Sequence, residues 1–199
     1  MMGMTHIFIG TASAMAVSSP HTVSGCFAAM IGGAAGGFIS DIDMKASHNR
    51  SEAVRAGLIA AGIAILLMTI DCYLHTGICN YILEENAPIS LTGLCLFVGL
   101  CVFGAFQDHR GFTHSLLAMA LFSLAVGIFY KPFLLPFATG FLSHLVLDLL
   151  NRKPIKLLFP LDTGLCLKLC YANRLADRCL LAAGIVITIF CLARFTLML

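Results

Sequence analysis

The sequence predicts an all-α protein: a polytopic bundle of membrane helices opened by an N-terminal helical hairpin. Three observations predict it. Hydrophobic residues fill 59% of the 199 positions and charged residues 11%, against about 45–50% and about 25% in soluble domains. The apolar residues form continuous runs suited to helical crossings, without the period-two alternation of an outer-membrane barrel. Lys and Arg gather in alternate loops, as the positive-inside rule requires of a chain that crosses repeatedly. Mean hydropathy is +0.95. The net charge of +2 is too small for a nucleic-acid footprint, so nucleic acid is excluded as a partner. The length fits one membrane-embedded domain over residues 1–199, with the bilayer as its first partner.

The elements follow in order. The stretch from Met4 to Phe38 is rich in Ala, Gly and Ser and is broken at Ser18-Ser19-Pro20-His21. Pro and paired Ser punctuate helices, so two short helices are expected, over 4–17 and 22–39. The run Gly32-Gly33-Ala34-Ala35-Gly36-Gly37 lets neighbouring helices approach closely in lipid. No Lys or Arg opens the chain, so the first segment is expected to be retained rather than cleaved as a signal peptide. Residues 40–56 are polar. Gly57–Leu74 is the next helix, followed by a polar turn through Asn86. Ala87–Phe106 carries no charge over twenty residues and is the clearest span. After a polar interruption at 107–115 come Leu116–Tyr130, a turn at Lys131-Pro132, Phe133–Leu150, a basic stretch over 151–178, and a final helix, Cys179–Leu199.

Loop charge gives the orientation. Lys45, Arg50 and Arg55 mark 40–56, and Arg152, Lys153, Lys156, Lys168, Arg174 and Arg178 mark 151–178. The 75–86 turn carries Glu84 and Glu85 and no cation. The cytoplasmic side is therefore expected to hold 40–56, 107–114 and 151–178, and the hairpin returns the N-terminus there too. The basic stretch is expected to rest on anionic lipid heads or to cover the site. His21, Asp71 and His75 fall on the opposite side, and His48 lies in a polar loop. Cys26, Cys72, Cys95, Cys101 and Cys191 lie in apolar stretches and are read as small hydrophobes; Cys166 and Cys170 form only a weak metal pair.

That orientation gathers the chemistry on one face. His144 and Asp148 are four residues apart on an apolar helix and project from one side; ionisable groups on membrane helices face the interior with a partner or a function. A satisfied helix-end pair is the competing reading. His109 and His114 bracket His-Arg-Gly-Phe-Thr-His, and Ser115 caps the helix that follows. Arg110 beside that helix N-terminus suits an anion such as phosphate. Asp41 and Asp43 follow a Gly-rich helix end, where a bound cation would offset the unfavourable helix dipole. His6 joins them if the hairpin forms. The mixed set of His6, Asp41, Asp43, His109, His114, His144 and Asp148 suits zinc, with manganese or iron as alternatives. Seven candidates fit one ion with supporting partners or two ions about 3.5–4 Å apart.

The chain resembles the YdjM-like family of bacterial inner-membrane metal-dependent hydrolases. The resemblance rests on Thr5-His6, Asp41-Ile42-Asp43, His109-Arg110-Gly111-Phe112-Thr113-His114-Ser115, Gly140-Phe141-Leu142-Ser143-His144 continuing to Asp148, and the stretch through Pro160. It covers roughly residues 4–162. Ser40 and Asn151 stand where the family often has Pro and Thr. The His/Asp pattern is also similar to that of zinc-dependent phospholipase C. The resemblance implies a metal-dependent hydrolase at the cytoplasmic face of the inner membrane, acting on a phosphoester and plausibly a lipid. Asp43, Arg110 and Asp148 are the expected catalytic groups. A metal-binding or ion-translocating protein without hydrolysis is the alternative; it would need polar groups across the membrane. A purely structural polar cluster is disfavoured, because interhelical polar bonds in membranes average only about 0.6 kcal/mol.

Overall fold

The computed structural model describes residues 3–43, 71, 73, 77, 80–108, 110–169 and 175–198, apart from the side chains of Asp43, Leu83 and Glu85. The expected helix Gly57–Leu74, except Asp71 and Tyr73, lies outside the described residues, as do Lys45, His48, Arg50, Arg55, His75, His109, Cys170 and Arg174.

Six α-helices are described: α1 (Gly3–Ser18), α2 (Val23–Ile39), α3 (Ala87–Ala105), α4 (Leu116–Phe129), α5 (Leu134–Leu150) and α6 (Leu175–Thr196). No strand occurs among the described residues. Four segments are long and apolar enough to cross a membrane: Val23–Ile42, Ala87–Ala105, Lys131–Leu150 and Leu175–Thr196. The hairpin of α1 and α2 forms as the sequence predicts. Thr22 lies outside α2 as its cap, accepting from the Gly25 N–H at 3.1 Å. Tyr130 is extended and ends α4, and Lys131–Phe133 is a 3-10 turn that leads into α5.

Helix α6 begins four residues before the expected Cys179. This is the largest shift of a boundary, and Asp177 accounts for it. An acid in the first turn complements the helix dipole, and this one is buried, accepting from Thr5 Oγ1 at 2.8 Å. A residue that reads as part of a polar loop instead pins α6 to the start of α1.

The glycine run sets the centre of the bundle. Helix α2 packs between α1 and α5, and α1 also contacts α5 and α6. A β-carbon on Gly37 would collide with the His6 carbonyl oxygen, and one on Gly36 with the Phe137 carbonyl oxygen. Gly33 and Gly37 thus admit α1, while Gly32 and Gly36 admit α5. Two small-residue pairs four apart serve two neighbours, and both backbones come within van der Waals reach. The main apolar cluster joins Phe112, Phe122, Phe137, Phe141, Leu145 and Ile155; a second, at the opposite end, joins Met15, Cys26, Ala29 and Phe195.

After α5 the chain forms an ordered strap over residues 151–169. Ile155 and Leu165 pair as an antiparallel bridge. Leu167 N–H donates to Leu149 O at 2.7 Å, Leu169 N–H to Leu150 O at 3.0 Å, and Leu116 N–H to Leu157 O at 3.0 Å. Phe159 stacks edge-on against Phe112. The strap is thereby fixed to the last turn of α5 and the first residue of α4.

Candidate metal centre

Antiparallel succession brings five side chains to one end of the bundle. His6 lies in the first turn of α1, Asp41 in the 3-10 turn after α2, His114 just before α4, and His144 and Asp148 in the last turns of α5. His6, His114, His144 and Asp148 are at most 1% exposed. The side chains of Asp41 and Arg110 are 16% and 14% exposed, so the cluster opens to its surroundings beside them.

The ligating atoms face one another. His114 Nε2 lies 3.4 Å from His144 Nε2, 3.7 Å from Asp41 Oδ1 and 3.4 Å from Asp148 Oδ2. His144 Nε2 lies 3.8 Å from Asp41 Oδ1 and 4.0 Å from Asp148 Oδ2. A tetrahedral zinc site with bonds of about 2.0–2.1 Å has edges of about 3.3–3.4 Å. The five distances run from that figure to 4.0 Å, slightly wider than a closed site. His6, His144 and Asp148 form a second triad on the same His144. The His6 ring stacks on that of His144 with centroids 3.9 Å apart, and its Nε2 lies 3.5 Å from Asp148 Oδ1.

Proton positions favour a cation. His144 Nδ1 lies 2.8 Å from the Gly37 carbonyl oxygen. A carbonyl only accepts, so Nδ1 carries the hydrogen and the neutral ring turns its Nε2 lone pair inward. His114 Nδ1 lies 3.1 Å from Thr113 Oγ1, a contact that fixes the ring with Nε2 turned toward the cluster; the hydroxyl can donate or accept there. The inward lone pair of His144 and the two carboxylate oxygens repel unless a proton or a metal ion lies among them. His6 Nδ1, also buried, has no hydrogen-bond partner among the described residues. The donor set is the mixed imidazole and carboxylate set that zinc accepts, so these residues fit a divalent ion.

A model of the YdjM inner membrane protein family matches residues 1–198. The chain belongs to the YdjM family. No curated protein and no solved structure matches it. Family membership and the four apolar spans together make it an inner-membrane protein, and its bundle holds buried His/Asp groups able to bind a metal ion.

The strings that carry the YdjM resemblance thus supply the converging side chains. Of the expected site residues, the structure brings together His6, Asp41, Arg110, His114, His144 and Asp148. His109 and the side chain of Asp43 lie outside the described residues; the Asp43 backbone ends the turn that carries Asp41. Arg110 has φ +67, the left-handed region that costs a non-glycine residue about 1–2 kcal/mol. That conformation sends its Nη2 to Asp148 Oδ2 at 3.2 Å and its Nη1 to the Lys153 carbonyl at 2.9 Å.

One expectation is corrected. Two of the first three amides of α4 are already engaged within the chain. Ser115 Oγ accepts from the Ala118 N–H at 3.0 Å, and the Leu157 carbonyl accepts from the Leu116 N–H. The strap thus takes one of the amides an anion would have used. Sequence reasoning also missed two supporting groups, the Thr113 hydroxyl and the Gly37 carbonyl. Thr113 was legible as the residue before His114; Gly37 offers only a backbone atom and gave no signal.

Proposed function

We propose that this YdjM family protein is a membrane-bound, metal-dependent hydrolase of a phosphoester, with a lipid as its substrate class and the site at the cytoplasmic interface. The observation that carries the reading is the convergence of His114 Nε2 and His144 Nε2, 3.4 Å apart, on Asp41 Oδ1 and Asp148 Oδ2, each carboxylate oxygen lying 3.4–4.0 Å from both nitrogens. Those four residues would hold the ion, most suitably zinc. His6 would steady the second oxygen of Asp148 or share a second ion. When bound, such an ion polarises a phosphoryl oxygen and lowers the pKa of water to near 7. Arg110, at the open edge of the cluster, meets the negative charge of the phosphoryl group and stabilises it as it grows. A carboxylate not engaged with the ion would accept the proton of the attacking water: Asp43, or Asp148 if Asp41, His114 and His144 alone hold the ion.

The packing gives less support to ion translocation. On α5, the residues one and two turns from His144 toward the opposite end are Phe141 and Phe137, both buried in the apolar cluster. Purification in detergent with metal analysis tests the proposal. At least one equivalent of bound metal is expected, with hydrolysis of a phosphoester panel, and both fall away in His114→Ala/His144→Ala. Less than one equivalent, unchanged by the double substitution, would overturn it.

A further inference from the structure

We infer that the strap over residues 151–169 is an interfacial anchor that lies in the cytoplasmic leaflet and reads anionic phospholipid head groups. The inference stands on the fold and does not require the hydrolase reading.

Helix length places the strap. Helices α4 and α5 have 14 and 17 residues, hence about 21 Å and about 25 Å at about 1.5 Å per residue. The hydrocarbon layer is about 30 Å thick. Helix α4 alone falls short of that thickness, while the Lys131–Leu150 segment that ends in α5 can span it, so the strap, which follows α5 and bonds the first residue of α4, sits at the edge of the hydrocarbon layer. Hydrogen bonds from Leu167 and Leu169 to the last two residues of α5 hold the strap at that level.

Its surface suits that position. Leu158, Leu161, Leu165, Leu167 and Leu169 are 40–71% exposed. Single exposed leucines are ordinary, but five within twelve residues mark a surface that is covered by something apolar. The same strap carries Arg152, Lys153, Lys156 and Lys168 against one acid, Asp162, which Lys156 pairs at 2.6 Å. Leucines beside a cationic excess match acyl chains beneath anionic head groups. A protein partner with only an apolar face would give the exposed Lys153 and Lys168 no anionic counterpart. The backbone is already bonded to α4, α5 and Arg110, so the leucines enter lipid without exposing an unpaired edge at those positions.

The chain contains no tryptophan, so a single introduced indole reports its own surroundings. Full-length Leu161→Trp and Leu167→Trp, both at exposed positions, would be reconstituted in phosphatidylcholine vesicles with and without phosphatidylglycerol. Ile189→Trp in α6 serves as the reference for deep burial in lipid. The expected result is emission at shorter wavelength than a water-exposed indole, and quenching by lipids brominated near the head group. Quenching by deeply brominated lipids is expected to be weaker than for Ile189→Trp. Phosphatidylglycerol increases the shift, and adding Lys153→Gln/Lys168→Gln abolishes that increase. Water-like emission quenched by acrylamide would overturn the inference. So would a blue shift without quenching by brominated lipid, which would mean a second copy or another protein covers the strap. Equal spectra with and without phosphatidylglycerol would overturn the recognition of anionic lipid.

Discussion

Thr113→Val tests whether His114 is held ready for a metal. Valine keeps the branched shape of threonine at a fully buried position, including the methyl that lies against Gly104. Only the hydroxyl at 3.1 Å from His114 Nδ1 is lost. Removing a group that orients a metal-binding histidine costs about 10–100-fold in affinity, or about 1.4–2.7 kcal/mol. A second route gives a similar figure, because a buried polar group left without its partner costs about 1–3 kcal/mol. The expected outcome is therefore zinc binding weakened about 10–100-fold in competition with a fluorescent chelator in detergent. Thr139→Val is the matched control, since its hydroxyl bonds the Leu135 carbonyl on an exposed part of α5, and it should bind zinc as the wild type does. Unchanged affinity in Thr113→Val, with an unchanged melting temperature, would refute the view that Thr113 presents His114 Nε2 to an ion.

Gly36→Ala should destabilise the detergent-solubilised protein by about 1–3 kcal/mol or more, as overpacking does, because its β-carbon meets the Phe137 backbone. Gly99→Ala meets nothing within 4 Å and should be neutral or stabilising; equal melting temperatures for the two variants would contradict the helix packing. Arg110→Gly should relieve the left-handed strain of about 1–2 kcal/mol but remove the guanidinium beside Asp148. Hydrolysis would fall even where thermal stability holds or rises, and retained activity would remove Arg110 from the mechanism. On the strap, Lys156 holds the Asp162 carboxyl below its ordinary value, and Asp162 raises the Lys156 ammonium. The pair's contribution is lost as pH falls through the lowered Asp162 value or rises through the raised Lys156 value, and salt screens it. Asp162→Asn should abolish this acid limb, which an NMR titration of the Asp162 carboxyl in the wild type would locate.

Much of the fold is legible because lipid leaves few alternatives. Backbone groups in hydrocarbon must bond within their own helix, so continuous apolar runs become α3, α4 and α5 with ends shifted by a residue or less. The start of α6 was hidden because Asp177 looks like loop until Thr5, 172 positions away, is known to meet it. Among site residues, His144 and Asp148 declare themselves by their cost in an apolar helix. His6 and Asp41 do not, since a lone histidine or a helix-end carboxylate is ordinary.

The sequence alone determined that the chain is helical, that it lives in a membrane, and that its acids and imidazoles collect toward one end. Periodicity and loop charge act locally and need no partner. Tertiary structure decided that His6, Asp41, His114, His144 and Asp148 converge as two triads sharing His144, and that the strap bonds the first amide of α4. Those outcomes depend on how closely α1, α2 and α5 approach. The approach is set by glycines whose missing β-carbons act only once another backbone is present.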